Sequence, residues 1–188
     1  MVRIGVLTFA HVHARAYADQ VCDNDRAELV AVWDHHQTRG RTAAQDFNLP
    51  FCDDLDELLE LDIDAVMVNA ETNLHPQVMV AAAQAGKHIF TEKALAITVD
   101  ECDRIIDAVE AAGGKFMISL PYRSDKNLLL ARKAIDDGLL GDVTLCRGRV
   151  AHAASLDKWF GGDSAWFVDP AQAGGGALFD LGCHRMDA

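Results

Sequence analysis

Two hydrophobic periods alternate through the first 120 residues of the chain. Short, nearly unbroken apolar runs occur at Val2–Leu7, Leu29–Trp33, Ala65–Val68, His88–Phe90 and Phe116–Leu120, the pattern of strands buried on both faces. Between them apolar residues return every three to four positions. This spacing predicts helices at Ala14–Cys22, Arg39–Phe47, Leu55–Glu60, Pro76–Ala85 and Val99–Ala112. Gly86 and the pair Gly113-Gly114 stand where helices close, because glycine takes the left-handed conformation of a C-terminal cap without steric cost. Strand and helix in strict alternation predict an α/β fold, a doubly wound parallel sheet with its ligand crevice at the C-terminal strand ends.

After Pro121 the pattern changes. Ser124–Asp137 reads as one amphipathic helix closed by Gly138, and Val143–Val150 reads as a strand. Residues 151–176 have no clear period, and 177–188 begin as a helix. One strand and two helices cannot close a sheet or bury their own apolar faces. The expected organisation is therefore a first domain over 1–121 and the incomplete opening of a second α/β domain over 122–188.

Composition narrows the class. Half the residues are apolar, enough for a well-packed core, yet no apolar run is long enough to span a membrane. The chain enters a strand pattern at Val2 without the long apolar stretch of a signal peptide, and its five cysteines are scattered with no CxxC pair. A cytoplasmic protein with reduced thiols is expected. The formal charge of −12 includes seven acids between Asp53 and Asp64, a solvated face that argues against nucleic acid as a partner.

Several segments carry candidate chemistry. The turn after the first strand runs Thr8-Phe9-Ala10-His11-Val12-His13, where a dinucleotide fold places glycines so that backbone amides approach a pyrophosphate. The glycine positions hold Thr8, Ala10 and His13. His11 and His13 are either polar residues on an exposed helix start or contacts to phosphate or substrate. Asp34, ending the second strand, is either a solvated cap or the acid that binds the two ribose hydroxyls of NAD; Arg39 and Arg41 nearby keep NADP open. Asn73 and His75 face the crevice or cap the helix starting at Pro76. Glu92-Lys93, at the end of a buried strand, points charge into the crevice. Asp180 and His184, four apart, share a helix face after the run Gly174-Gly175-Gly176. His11, His13 and His184 are too scattered to specify zinc, and no metal is expected.

Taken together these segments resemble the Gfo/Idh/MocA oxidoreductases, the family of glucose–fructose oxidoreductase and inositol dehydrogenase. The likeness is carried by the opening turn, Asp34, Asn73 and His75, the run Ala82–Lys93, Gly138–Val143 and Gly174–Asp187. The resemblance implies a Rossmann NAD(P)-binding domain followed by a substrate domain that commonly mediates homo-oligomers. It implies a sugar or polyol substrate and hydride transfer with NAD, NADP being the other possibility. Lys93, Asp180 and His184 align with the catalytic set: His184 as general base, Lys93 holding the reacting oxygen, Asp180 orienting substrate or His184. Thr8, Phe9, Ala10, His11, His13, Asp34, Arg39, Asn73, His75 and Glu92 fall on the cofactor side. Tyr122 and Arg123 are further candidates for substrate or cofactor contact. The chain departs from the family pattern at the glycine turn, at Ala70-Glu71 in place of Thr-Pro, and at Glu92-Lys93-Ala94 in place of Glu-Lys-Pro. Without the proline a trans Lys93–Ala94 bond is expected, since a cis bond costs roughly 3 kcal/mol. The alternative to a dehydrogenase is a redox-inactive member that binds a ligand as a regulator.

Overall fold

A computed structural model describes residues 1–188. Six strands, β1 (Val2–Leu7), β2 (Ala27–Trp33), β3 (Phe51–Cys52), β4 (Ala65–Val68), β5 (His88–Thr91) and β6 (Phe116–Ile118), form one parallel sheet in the order β3-β2-β1-β4-β5-β6. The order reverses between β1 and β4, and that reversal opens the crevice expected of a doubly wound α/β fold.

Helices α1 (Ala14–Cys22) and α2 (Gln37–Asp46) cover one face, and α3 (Leu55–Glu60), α4 (His75–Gln84) and α5 (Val99–Ala112) cover the other. The strand period of two divides the core accordingly. Val6, Val32 and Met67 pack with Ala14, Ala18, Ala43 and Ala44, while Leu7, Val66, Val68 and Ile89 pack with Leu58, Val78, Met79 and Ile105. Small residues on α1 and α2 bring those helices close to the sheet. Gly5 serves the opposite face: a Cβ there would lie 2.7 Å from Leu58 Cδ2 and 2.9 Å from Ile63 Cδ1. Helix α5 starts with a reciprocal Thr98–Glu101 capping box and ends at Gly113, φ 65°.

Beyond β6 the chain forms α6 (Lys126–Asp136), α7 (Pro170–Ala173), α8 (Ala177–Asp180) and α9 (Gly182–Asp187). Three expectations change. The two-residue strand β3 is added, too short to show a period. The run Val143–Val150 is not a strand, because no neighbouring strand offers it a ladder. The segment from Ala177 is two short helices interrupted at Leu181. No helix is long and apolar enough to cross a membrane.

Candidate active site

The β1–α1 turn keeps the path of a glycine turn without its glycine. Thr8 has φ 67°, a left-handed conformation uncommon for a β-branched residue, and is fully buried. Its neighbours are tied inward: Phe9 N–H donates to Asp34 Oδ2 at 3.0 Å, His11 N–H to Asn69 O at 3.0 Å, and Trp166 Nε1–H to Ala10 O at 3.0 Å. Phe9, Ala10 and His11 are buried, and only His13 keeps an exposed ring. The exposed helix start suggested for both histidines therefore describes His13 alone.

Asp34 is not a solvated cap. Arg39 grips it with two hydrogen bonds of 2.8 Å, from Nε to Oδ2 and from Nη2 to Oδ1, and reaches Glu71 Oε1 with Nη1 at 3.2 Å. The three side chains are buried together, one cation between two carboxylates. Glu71 Oε2 and Asn69 Oδ1, beside them, are buried acceptors with no donor. His75 does not face the crevice: its ring is buried against the carbonyls of Ala70 at 3.2 Å, Ala94 at 2.9 Å and Leu95 at 3.0 Å. Asn73 is exposed on a one-turn 3₁₀ segment and caps no helix through its side chain.

Glu92 directly follows strand β5, and its side chain is 1% exposed. His13 Nδ1 lies 2.8 Å from Glu92 Oε1, the Tyr17 hydroxyl donates to the same oxygen, and Lys93 N–H donates to Oε2 at 3.1 Å. Burial alone would raise this carboxyl. The His13 contact, the neighbouring His11 and the Tyr17 hydroxyl outweigh burial and hold it well below the ordinary carboxylate range. His11 is lowered too, but by burial, which brings its pKa to about 3 against the pull of Glu92.

Lys93 and Asp180 are joined by a salt bridge, and Lys93 Nζ also reaches the Asp180 backbone oxygen at 3.2 Å. The Lys93–Ala94 bond is cis, contrary to the trans bond expected without proline. Lys93 and Asp180 share a cavity of about 290 Å³ with His11, His13, Tyr122 and His184. His184 Nδ1 is buried without a partner, and the ring meets Tyr122 edge-on at 5.8 Å. Burial, reinforced by Lys93, lowers the His184 pKa despite the opposing Glu92 and Asp180. Arg123 turns away to pair with Asp187, whereas Arg185 stacks over Tyr122 at 4.4 Å.

Four contributors escaped the sequence. Glu71 joins Arg39 across 32 positions, and nothing local announces such a pairing. Tyr17 was detectable in principle, since it lies four residues after His13 and hence on the same side of α1. Trp166 and Phe167, stacked at 3.9 Å, lie in a stretch without a period; Phe167 lines the cavity and Trp166 packs on Ala10.

Comparison with known proteins agrees with this fold. Residues 2–120 match the Gfo/Idh/MocA model described as an oxidoreductase family with an NAD-binding Rossmann fold, and residues 128–188 match the family's C-terminal domain. Levoglucosan dehydrogenase of Pseudarthrobacter phenanthrenivorans is 35% identical over 126 residues, covering 67% of this chain and 32% of its own length. Inositol 2-dehydrogenase of Salmonella typhimurium is 31% identical over 165 residues, covering 83% of this chain and 47% of its own length. The crystal structure of a putative myo-inositol dehydrogenase from Sinorhizobium meliloti 1021 superposes with a TM-score of 0.73 at 28% identity, over 100% of this chain and 54% of the other. The chain thus spans between a third and about half the length of these relatives. Sheet order, the Glu92-Lys93 strand end and both family matches lead to one conclusion: this chain belongs to the Gfo/Idh/MocA oxidoreductase family.

Proposed function

We propose that the chain is the cofactor-binding part of a dehydrogenase that moves hydride between NAD and a carbinol carbon of a sugar or polyol. The observation that carries the proposal is the convergence of Lys93, Asp180 and His184 on one cavity at the mouth of the crevice, from segments 87 residues apart. Relatives named for levoglucosan and inositol support a polyhydroxylated substrate.

The residues at the crevice fit a dinucleotide. Glu71 Oε2 and Asn69 Oδ1 are buried acceptors lacking donors, and ribose hydroxyls are donors. Arg39 is already shared by two carboxylates, so no free cation there meets a 2′-phosphate. That balance favours NAD over NADP.

A bound nicotinamide supplies the hydride acceptor or donor. The chain's own groups manage the proton and the oxygen. His184, its pKa lowered by burial and by Lys93, is neutral at neutral pH and takes the hydroxyl proton of the substrate. The Lys93 ammonium holds the oxygen as it becomes carbonyl-like, and Asp180, salt-bridged to Lys93, fixes the ammonium's position.

Nicotinamide fluorescence, titrated with NADH and NADPH, tests this. NADH is expected to bind at least about tenfold more tightly, a difference of about 1.4 kcal/mol. Glu71→Gln, which removes one of the two carboxylates on Arg39, should narrow the difference. Saturable binding followed by NAD reduction with a panel of polyols would complete the case. Binding of neither nucleotide would overturn it and leave the ligand-binding regulator.

A further inference from the structure

Glu92 carries a charge problem that the hydride chemistry does not use. Its side chain is 1% exposed, yet no charged side-chain nitrogen of a lysine or arginine lies within 4 Å; its only ion-pair neighbours are two imidazoles. A buried carboxylate without a cation is unfavourable. One of those imidazoles is itself incomplete, because His11 Nε2 is buried with no hydrogen-bond partner and stands 3.7 Å from Glu92 Oε2. The other, His13, approaches Oε1 from the cavity side with about half its ring exposed. One nitrogen from each histidine and one Glu92 oxygen lie within 4.8 Å of one another.

We propose that His11, His13 and Glu92 form a binding site for a first-row divalent cation of the zinc class, with its remaining coordination position open to the cavity shared by Lys93 and His184. Two imidazoles and one carboxylate are a donor set that zinc accepts with a fourth position left for water or substrate oxygen. Metal–ligand bonds of about 2.0–2.2 Å place donors about 3.4 Å apart, so the triad closes when each side chain moves by less than about 1 Å. The Tyr17 hydroxyl and the Lys93 N–H hold the carboxylate from outside, as outer partners of metal ligands do. Ligation through Nε2 puts the ring proton of His11 on Nδ1. The 3.2 Å contact from His13 N–H to that nitrogen then opens, releasing the N–H at the start of α1. The nearby Lys93 charge is offset by its salt bridge to Asp180.

Cation binding is read without nicotinamide, so its failure is distinguishable from a failure of hydride transfer in the same cavity. The chain is stripped with EDTA, dialysed, and titrated with Zn²⁺ by calorimetry and with Co²⁺ by visible absorption. About one equivalent should bind, with the intense d–d bands of a low-coordinate site for Co²⁺. His13→Gln, at a half-exposed position that the fold tolerates, and His11→Gln should each weaken binding by at least about tenfold, the lower bound for disturbing even an outer-shell partner. His35→Gln, beside the Asp34–Glu71 carboxylates, should leave binding intact. Absence of saturable binding to the wild-type chain would overturn the proposal. So would an affinity unchanged by His13→Gln, in a variant whose circular dichroism matches wild type.

Discussion

At the scale of the residue, His184 is the sharpest test of the proposed chemistry. His184→Ala should lower turnover by about 10²–10⁴-fold while leaving NADH affinity nearly unchanged, since the imidazole lies by Lys93 and Tyr122 and away from the Asp34–Arg39–Glu71 cluster. The pH dependence has a defined sign. A base must be unprotonated, and burial with Lys93 lowers its pKa; alcohol oxidation should therefore persist below the ordinary imidazole value of about 6.5 and fail only as pH drops through the lowered one. Lys93→Met removes one cause of that lowering, so the His184 ring resonances should titrate at higher pH than in wild type. A titration unmoved or moved downward would detach Lys93 from His184. Individual site residues were legible unevenly. Lys93, Asp180 and His184 were recognisable through family likeness, because charged groups at strand ends and after a glycine run are unusual. The fate of Asp34 was not legible. Its buried partner set depends on Glu71, and a contact across such a sequence distance leaves no periodic trace.

At the scale of the element, helix α2 shows how packing sets the cofactor side of the site. Gly40 faces the sheet so closely that a Cβ would lie 2.4 Å from Phe51 Cε2 and 2.5 Å from Asp34 Cβ. The absence of a side chain lets α2 approach and lets Arg39 fork onto Asp34. Gly40→Ala should push α2 outward, costing about 1–3 kcal/mol as overpacking does. It should also weaken NADH binding by disturbing the Asp34–Arg39 pair. Thermal melting together with the fluorescence titration measures both effects; a loss of stability with unchanged NADH affinity would separate α2 from the site. Strands β1, β2, β4 and β5 and the helices packed on them were readable because each buries a regular face, and period reports burial; β6 and α6 stand largely exposed. The same logic explains the failures. Strand β3 has only two residues and cannot display a period, and Val143–Val150 had the period but no ladder partner.

At the scale of the whole molecule, two buried neutral histidines tie stability to acidity. His75 is enclosed against three backbone carbonyls; those carbonyls favour its proton, yet burial prevails and its pKa is lowered. His11 is lowered by burial to about 3. Both rings titrate near 6.5 in the unfolded chain, so below that value the unfolded state binds protons that the folded state refuses. The sign follows: stability contributed by these groups is complete above about pH 6.5 and is lost as pH falls. For His11 the loss continues down to about pH 3, at about 1.4 kcal/mol per pH unit for each fully linked proton. Urea unfolding at several pH values, with EDTA present to keep bound cations out of the balance, measures the slope. Wild type should lose stability steadily from pH 6.5 to pH 5, with the urea dependence unchanged. His11→Gln should remove close to one proton from the linkage and flatten the slope, whatever it does to stability at pH 7.5. An identical slope in the variant would mean that His11 is solvated in solution. A histidine open to water would contradict both the enclosed turn and the cation site built on it.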